Sequence, residues 1–500
     1  MVHGVRIRDG KADWYRNRWV RSPNVAKELG EPPPDGHYGL YPLGANTNVI
    51  GHAGKTLALI EGGGINYELT DDLNTVGVCD FDGTLTGGYT AHPKRDPETG
   101  ELHAVSYCAY RGNNVQYSVI GVDGRARRTV DITVAGSPMM HDFSLTERYV
   151  VFYDLPVTFD APLAAAMTVP RGLRLPVRLI LSALIGRVRI PDPIAARIHV
   201  SKSSERRFPY SWNPKYPARV GVMPREGGDA DVRWFDVEPC YVFHPMNASD
   251  EGDTIVLDVV RHPKMFDRDH TGPNEGPPTL DRWTVDLADG KVRESRFDDH
   301  AQEFPRVDER LVGKRHRYGY APTALEGLEG ADALLKHDFV RGSTESRSFG
   351  PQKALGEFVF HPSSPDAAED DGVLMGYVYD RTTDRSELAT LDAQTLQDIA
   401  SIKLPHRVPA GFHGNWGTEP QLRARSFKTT PKPLYQRTDE LAVLLARAIT
   451  RRSWSSPLMF GRRRRGAAAD RVHAEQHRRV FRVDRLNPTM TARQRQSSKR

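Results

Sequence analysis

Three cysteines in 500 residues, Cys79, Cys108 and Cys240, are too few for a disulfide framework, and they point to a reducing compartment. No run of about 18 apolar residues occurs, so a membrane-spanning helix is not expected. The opening Met1-Val2-His3-Gly4-Val5-Arg6 lacks the apolar core of a secretion signal, and a cytoplasmic location is expected. No exact short repeat such as a WD signature is found. A hydrophobic content of only 38%, with 43 Gly and 36 Pro, argues against a helical bundle and for a loop-rich β protein.

Acidic residues are scarce at one end. From Gln421 to Arg500, 21 Lys and Arg face 5 Asp and Glu; that net of +16 within an overall +5 leaves −11 for residues 1–420. The basic character therefore belongs to the tail, which includes Arg462-Arg463-Arg464-Arg465. Residues 418–500 read as a basic, largely disordered extension, with a helical pattern over Leu441 to Ile449. Nothing in it indicates a specific nucleic-acid partner.

What fills residues 1–417 is a succession of short strands. Val5 to Ile7 and Trp14 to Val20 form a hairpin around Asp9-Gly10-Lys11. A Pro/Gly-rich loop follows over residues 23–56. Strand patterns then recur at Thr56 to Glu61, Leu102 to Tyr110, Val115 to Val122, Tyr149 to Tyr153, Ala218 to Met223, Val232 to Val237 and Thr254 to Val260. They continue at Asp281 to Leu287, Lys291 to Phe297, Ala333 to Val340, Gly356 to Phe360, Gly372 to Tyr379 and Ser386 to Leu391. Asp123-Gly124 and Asp289-Gly290 are among the turns between them. The fold class is all-β, and so many strands favour a propeller over a sandwich or barrel. Residues 162–200 break the pattern: Leu175 to Val188 is apolar and basic. It reads either as a helix packed on the propeller or as an interfacial helix touching a membrane.

Four of the 18 histidines stand in comparable settings. They are His92 before Pro93-Lys94, His141 before Asp142-Phe143, His244 before Pro245-Met246, and His413 before Gly414-Asn415. Their separations of 49, 103 and 169 residues rule out one helix or strand as a platform. A propeller axis gathers such distant residues. Neutral imidazoles suit Fe, Zn, Cu or Ni, and four of them leave an octahedral ion two open positions. A closed structural zinc site, normally built with Cys, fits poorly. We read the four as converging on one iron ion. Spacing alone does not separate them from His337, in a further His-Asp-Phe triplet, or His361, in a further Phe-His-Pro triplet. Ligating histidines need a carboxylate or carbonyl on the second ring nitrogen. Glu61, Glu303 and Glu369 are the candidates, and they would also offset the metal's charge.

At this point the chain resembles the carotenoid cleavage oxygenase family, which includes lignostilbene dioxygenases and retinoid isomerases. The likeness rests on Ala91-His92-Pro93-Lys94, Met140-His141-Asp142-Phe143, Phe243-His244-Pro245-Met246-Asn247-Ala248, Glu303-Phe304-Pro305-Arg306, Glu369-Asp370-Asp371-Gly372 and Gly411-Phe412-His413-Gly414-Asn415-Trp416. Found in this order, these motifs are highly specific. The resemblance implies a seven-bladed β-propeller over residues 1–417, with a helical and loop cap above an axial site. It implies one Fe(2+) per chain on His92, His141, His244 and His413, with Glu61, Glu303 and Glu369 behind them. His337 and His361 fall outside the ligand motifs. The implied reaction uses O2 to split a conjugated C=C bond of an apolar polyene, a carotenoid or apocarotenoid, into two carbonyl products. Phe243, Phe304, Phe412 and Trp416 could line the substrate tunnel or simply pack in the core.

Two departures stand out. Family members usually carry further strands before the segment that matches Met1, so N-terminal strands are expected to be missing here. They also usually end soon after the last histidine motif. A lignostilbene-type enzyme is the first alternative, and Ile60 stands where that branch favours a Lys. A non-catalytic propeller is the second. Contact with a membrane periphery would suit extraction of an apolar substrate.

Overall fold

The computed structural model describes residues 1–34, 44–190, 209–273, 275–324 and 331–418, with the short strands Glu440–Ala446 and Val483–Arg485. Strands dominate, and every strand pattern read between residues 56 and 391 is found. Antiparallel neighbours in sequence pair with one another, as a propeller requires. One sheet runs Asn48–His52, Lys55–Leu59, Asn66–Leu69, Thr75–Cys79, and the next joins Lys94–Arg95, Leu102–Tyr107, Asn114–Ile120 and Ala126–Thr133. Burial grades across a blade. The inner strand Tyr241–Glu251 is buried along most of its length, whereas Lys291–Asp298, at the other edge of that sheet, is mostly solvent-facing.

Among the described residues six blades are complete, with four or five strands each; the expected count of seven is corrected. A further sheet, Tyr318–Pro322 with Ala333–Asp338 and Ser343–Ser348, has three strands. A fourth would have to come from Gln302 to Arg306. That stretch makes only the bridges Gln302↔Thr323 and Arg306↔Tyr320. Phe304 there adopts φ +55°, which a bulky side chain rarely tolerates, and Pro305 lacks a donor for a ladder.

Two further expectations change. The Pro/Gly-rich stretch opens with a helix, Pro23–Leu29. Ser22 caps its N-terminus by accepting from Val25 N–H, Pro23 stands at the first helical position, and Gly30 closes the other end in the left-handed region. The helix expected over Leu441 to Ile449 is instead strand Glu440–Ala446, paired between Val2–Arg8 and Gly414–Thr418. The rest of residues 419–500, apart from Val483–Arg485, lies outside the described residues, as does the end of the 162–200 stretch from 191. That stretch starts with two helices, Ala161–Thr168 and Arg174–Leu184. Among the described residues no helix is long and apolar enough to cross a membrane.

Candidate metal centre

The four histidines enter the centre from the starts of inner strands. His141 stands two residues before Phe143–Leu145, His413 directly before Gly414–Thr418, and His92 two before Lys94–Arg95. His244 lies within Tyr241–Glu251, where the pairing slips between Val242 and Pro245. Such a bulge re-aims a side chain that a regular ladder would point elsewhere. All four are buried, and one nitrogen from each lies within 4.8 Å of the others. His141 Nε2 and His244 Nε2 face each other at 3.2 Å. The Nε2 atoms of His92 and His413 are buried without a hydrogen-bond partner. Buried polar atoms are rarely left so, and inward-facing ring nitrogens gathered in this way are what a cation would satisfy.

Behind three of the rings stands a carboxylate. Glu61 Oε2 lies 2.7 Å from His141 Nδ1, Glu303 Oε2 2.6 Å from His244 Nδ1, and Glu357 Oε1 3.1 Å from His413 Nδ1. With Nδ1 of His244 and of His413 hydrogen-bonded to a carboxylate, and Nδ1 of His141 beside a third, the Nε2 side of each ring is left to face the centre. Among the described residues His92 has no such partner. Its Nδ1 is 3.9 Å from Asp142, which bonds Lys94 Nζ at 2.9 Å instead.

The backbone aims these groups. Gly62 and Gly63 both take positive φ directly after Glu61, and a Cβ on Gly88 would come within 2.5 Å of Gly63 Cα. Phe304, in its left-handed conformation, donates its N–H to Glu303 Oε2 at 2.6 Å.

Electrostatics follow from burial. Burial, reinforced by the neighbouring rings, holds His92 well below the usual histidine range. Burial also lowers His244, against the pull of Glu303. At His141 burial is outweighed by the Glu61 carboxylate, which raises it. Burial pushes Glu303 up, but His244 and His262 outweigh it and keep the carboxyl ionised far below its normal range. Glu357 is likewise lowered against its burial, by Arg306 and His413. Two of the carboxylates, Glu303 and Glu357, are thus held in the charged form beside the ring cluster, which suits a divalent cation.

A protein-family profile described as Retinal pigment epithelial membrane protein matches residues 1–418. A carotenoid cleavage oxygenase of Mycobacterium tuberculosis is 60% identical over 431 residues, spanning 83% of this chain and 86% of that protein. This chain belongs to the carotenoid cleavage oxygenase family. A carotenoid 9,10(9',10')-cleavage dioxygenase of Arabidopsis thaliana is 30% identical over 483 residues, 85% of this chain and 81% of that one. Among solved structures, a cobalt-substituted Synechocystis apocarotenoid oxygenase matches with TM-score 0.65 and 28% identity, over 81% of this chain and 84% of that one. A lignostilbene dioxygenase of Pseudomonas brassicacearum gives TM-score 0.64 and 26% identity, over 80% and 83%. The chain is therefore an oxygenase of this family with a propeller fold and a buried four-histidine group able to hold a metal.

One residue of the expected set is displaced in this oxygenase. Glu369 stands behind no histidine; its Oε1 accepts from the backbone N–H groups of Arg317 and Tyr318 at 2.7 and 2.6 Å. Glu357 takes the third place. Its signal was a lone charge inside the apolar run Leu355 to Phe360, at a slip in pairing between Leu355 and Phe358. His262, whose Nε2 is 2.7 Å from Glu303 Oε1, carried no signal in the sequence. The histidines of the two duplicated triplets stay away. His337 bonds Gln302 and Thr344, and His361 packs on Trp416. Of the expected aromatics, Phe243 packs edge-on against His141, and Phe304 touches His244 and His413.

Proposed function

We propose that this oxygenase is a non-haem iron(II) dioxygenase that adds O2 across a conjugated C=C bond of a carotenoid or apocarotenoid, giving two aldehyde or ketone products. One observation carries the reading: four buried imidazole nitrogens converge while three carboxylates fix the tautomers behind them, in a chain of this family. His92, His141, His244 and His413 would hold the iron, which supplies the activation of O2 when bound. Glu61, Glu303 and Glu357 hold the rings in the ligating tautomer and offset charge. Phe243 and Phe304 wall the centre and keep water from it. Ile60, beside Glu61, is buried among Val2, Val49 and Tyr67 and brings no cation to meet a phenol. That favours a polyene over a hydroxylated stilbene.

Reconstitution with iron(II) tests this. About one iron per chain is expected, with β-carotene or an apocarotenal split into two carbonyl products that carry label from 18O2. Cleavage of a hydroxylated stilbene alone would move the assignment to the lignostilbene type. Soluble protein that takes up no iron would be a non-catalytic propeller.

A second reading concerns where the substrate is met. Leu173, Leu175, Leu179, Ile180, Leu184 and Val188 are all exposed on and beside Arg174–Leu184, among Arg171, Arg174, Arg178 and Arg187. An apolar surface flanked by cations fits the edge of an anionic bilayer. Flotation with anionic liposomes should be lost on substituting Leu179→Asp and Ile180→Asp together; unchanged flotation would exclude this face.

A further inference from the structure

Each carboxylate behind a ligating ring is itself held from outside, and the three holders differ. Tyr107 Oη donates to Glu61 at 3.2 Å. The backbone N–H of Gly414 donates to Glu357 Oε2 at 2.8 Å, with Arg306 beyond at 3.8 Å. Glu303 has an imidazole. His262 is the last residue of Thr254–His262, is 1% exposed, and points Nε2 at Glu303 Oε1. Glu303 Oε2 meanwhile serves His244 Nδ1 and Phe304 N–H. An ionised carboxylate only accepts, so Nε2 of His262 must carry a proton and donate. The register places His262 opposite Tyr241, and its ring packs edge-on against Phe243, 5.3 Å between centroids. Phe243 in turn packs on His141.

Other buried histidines in this chain spend their hydrogen bonds on the scaffold. His3 and His103 bond Tyr15 and Tyr117, and His52 bonds the Gly121 carbonyl. His262 alone among these is spent on a carboxylate that holds a candidate ligand. Without it Oε1 would be buried and unpaired, and the carboxylate would be free to rotate away from His244.

We propose that His262 is a positioning residue for the metal centre: its Nε2–H pins Glu303 Oε1, so that Oε2 holds His244 in the tautomer and orientation that present Nε2 to the metal. This rests on the four-histidine metal reading above. It assigns His262 no contact with substrate or metal.

Three substitutions separate positioning from packing. His262→Phe keeps the ring without a donor. His262→Gln carries an amide N–H at nearly the reach of Nε2. His262→Asn carries the same amide too short to reach. Iron(II) and cobalt(II) affinity is measured by chelator competition, with the visible spectrum of bound cobalt as a report on ligand geometry. Phe and Asn should bind metal about 10-fold or more weakly, as is usual when such a supporting group is lost, with altered cobalt bands. Gln should keep the wild-type spectrum and most of the affinity. If Phe fails to fold, the Gln and Asn pair decides. Equal affinity and identical spectra for Gln and Asn would overturn the proposal, leaving His262 a core residue. Wild-type protein that binds neither metal would overturn the metal reading itself, a distinct result.

Discussion

Phe243-His244-Pro245 and Phe360-His361-Pro362 are the same tripeptide in the innermost strands of two blades, yet only one reaches the centre. His244 is the fourth residue of Tyr241–Glu251; His361 is the ninth of the ten in Lys353–Pro362. At about 3.3 Å per residue, that offset of five residues carries His361 roughly 16 Å further along its strand. The ladder differs as well. His244 lies where pairing slips, whereas His361 is in regular register opposite Val373. The slip in the strand of His361 falls between Leu355 and Phe358, and the residue it aims at the centre is Glu357. Depth along the strand and the position of the bulge decide which side chain faces the axis. Local sequence does not.

The comparison breaks first at the histidines themselves. His244→Ala should cost the protein its iron, because it removes a ligand and leaves Glu303 facing a gap. His361→Ala should leave metal content at the wild-type level, since the His361 ring packs on Trp416 and not in the four-histidine cluster. Elemental analysis of the two purified variants is the check. Iron lost from the His361 variant and kept by the His244 variant would invert the assignment.

The carboxylates give the next, smaller contrast. Glu357→Gln removes the anion behind His413 and should weaken metal binding by about 10- to 100-fold. Glu369→Gln should leave affinity unchanged, because Glu369 serves the backbone of Arg317 and Tyr318 rather than a ring. Chelator competition measures both. A larger loss in the Glu369 variant would restore the residue that the sequence favoured.

This pair of carboxylates also shows where the sequence stopped being legible. Strands were legible because alternating apolar residues and turn formers announce them. The four histidines were legible because their motifs occur together and in order. Glu369 attracted attention through its neighbours Asp370 and Asp371, but that acidic run belongs to the turn before Gly372–Asp380. Glu357 showed only as a lone charge in an apolar run, since the slip that turns it inward depends on the partner strand. His262 was hidden for the same reason: nothing near it in sequence says that Glu303 is 2.7 Å away. The helix Pro23–Leu29 was masked by surrounding proline and glycine, though its cap residues were visible. The three-stranded sheet depends on one strained residue, Phe304, which pattern reading does not detect.

The other duplicated motif, His337-Asp338-Phe339, sharpens the contrast through pH. His337 sits in the middle strand of its sheet, with Gln302 on Nε2, Thr344 on Nδ1, and Asp298, His300, Phe297 and Phe339 around it. Burial lowers its pKa to about 4, as it does those of His52 and His103. A histidine lowered on folding takes up its proton more readily in the unfolded chain. Its contribution to stability is therefore complete above the ordinary value near 6.5 and is lost as pH falls toward about 4, by up to ~1.4 kcal/mol per pH unit for each group. Metal-free protein should lose stability between pH 7 and pH 5. His337→Gln keeps an amide that can donate to Gln302 and has nothing to titrate, so it should recover up to about 2 kcal/mol of that loss. Denaturant unfolding of metal-free wild type and variant at the two pH values measures it. The same pH dependence in both would mean that His337 takes up its proton as readily in the fold as in the unfolded chain, and its environment would then be closer to that of a surface histidine than of a core one.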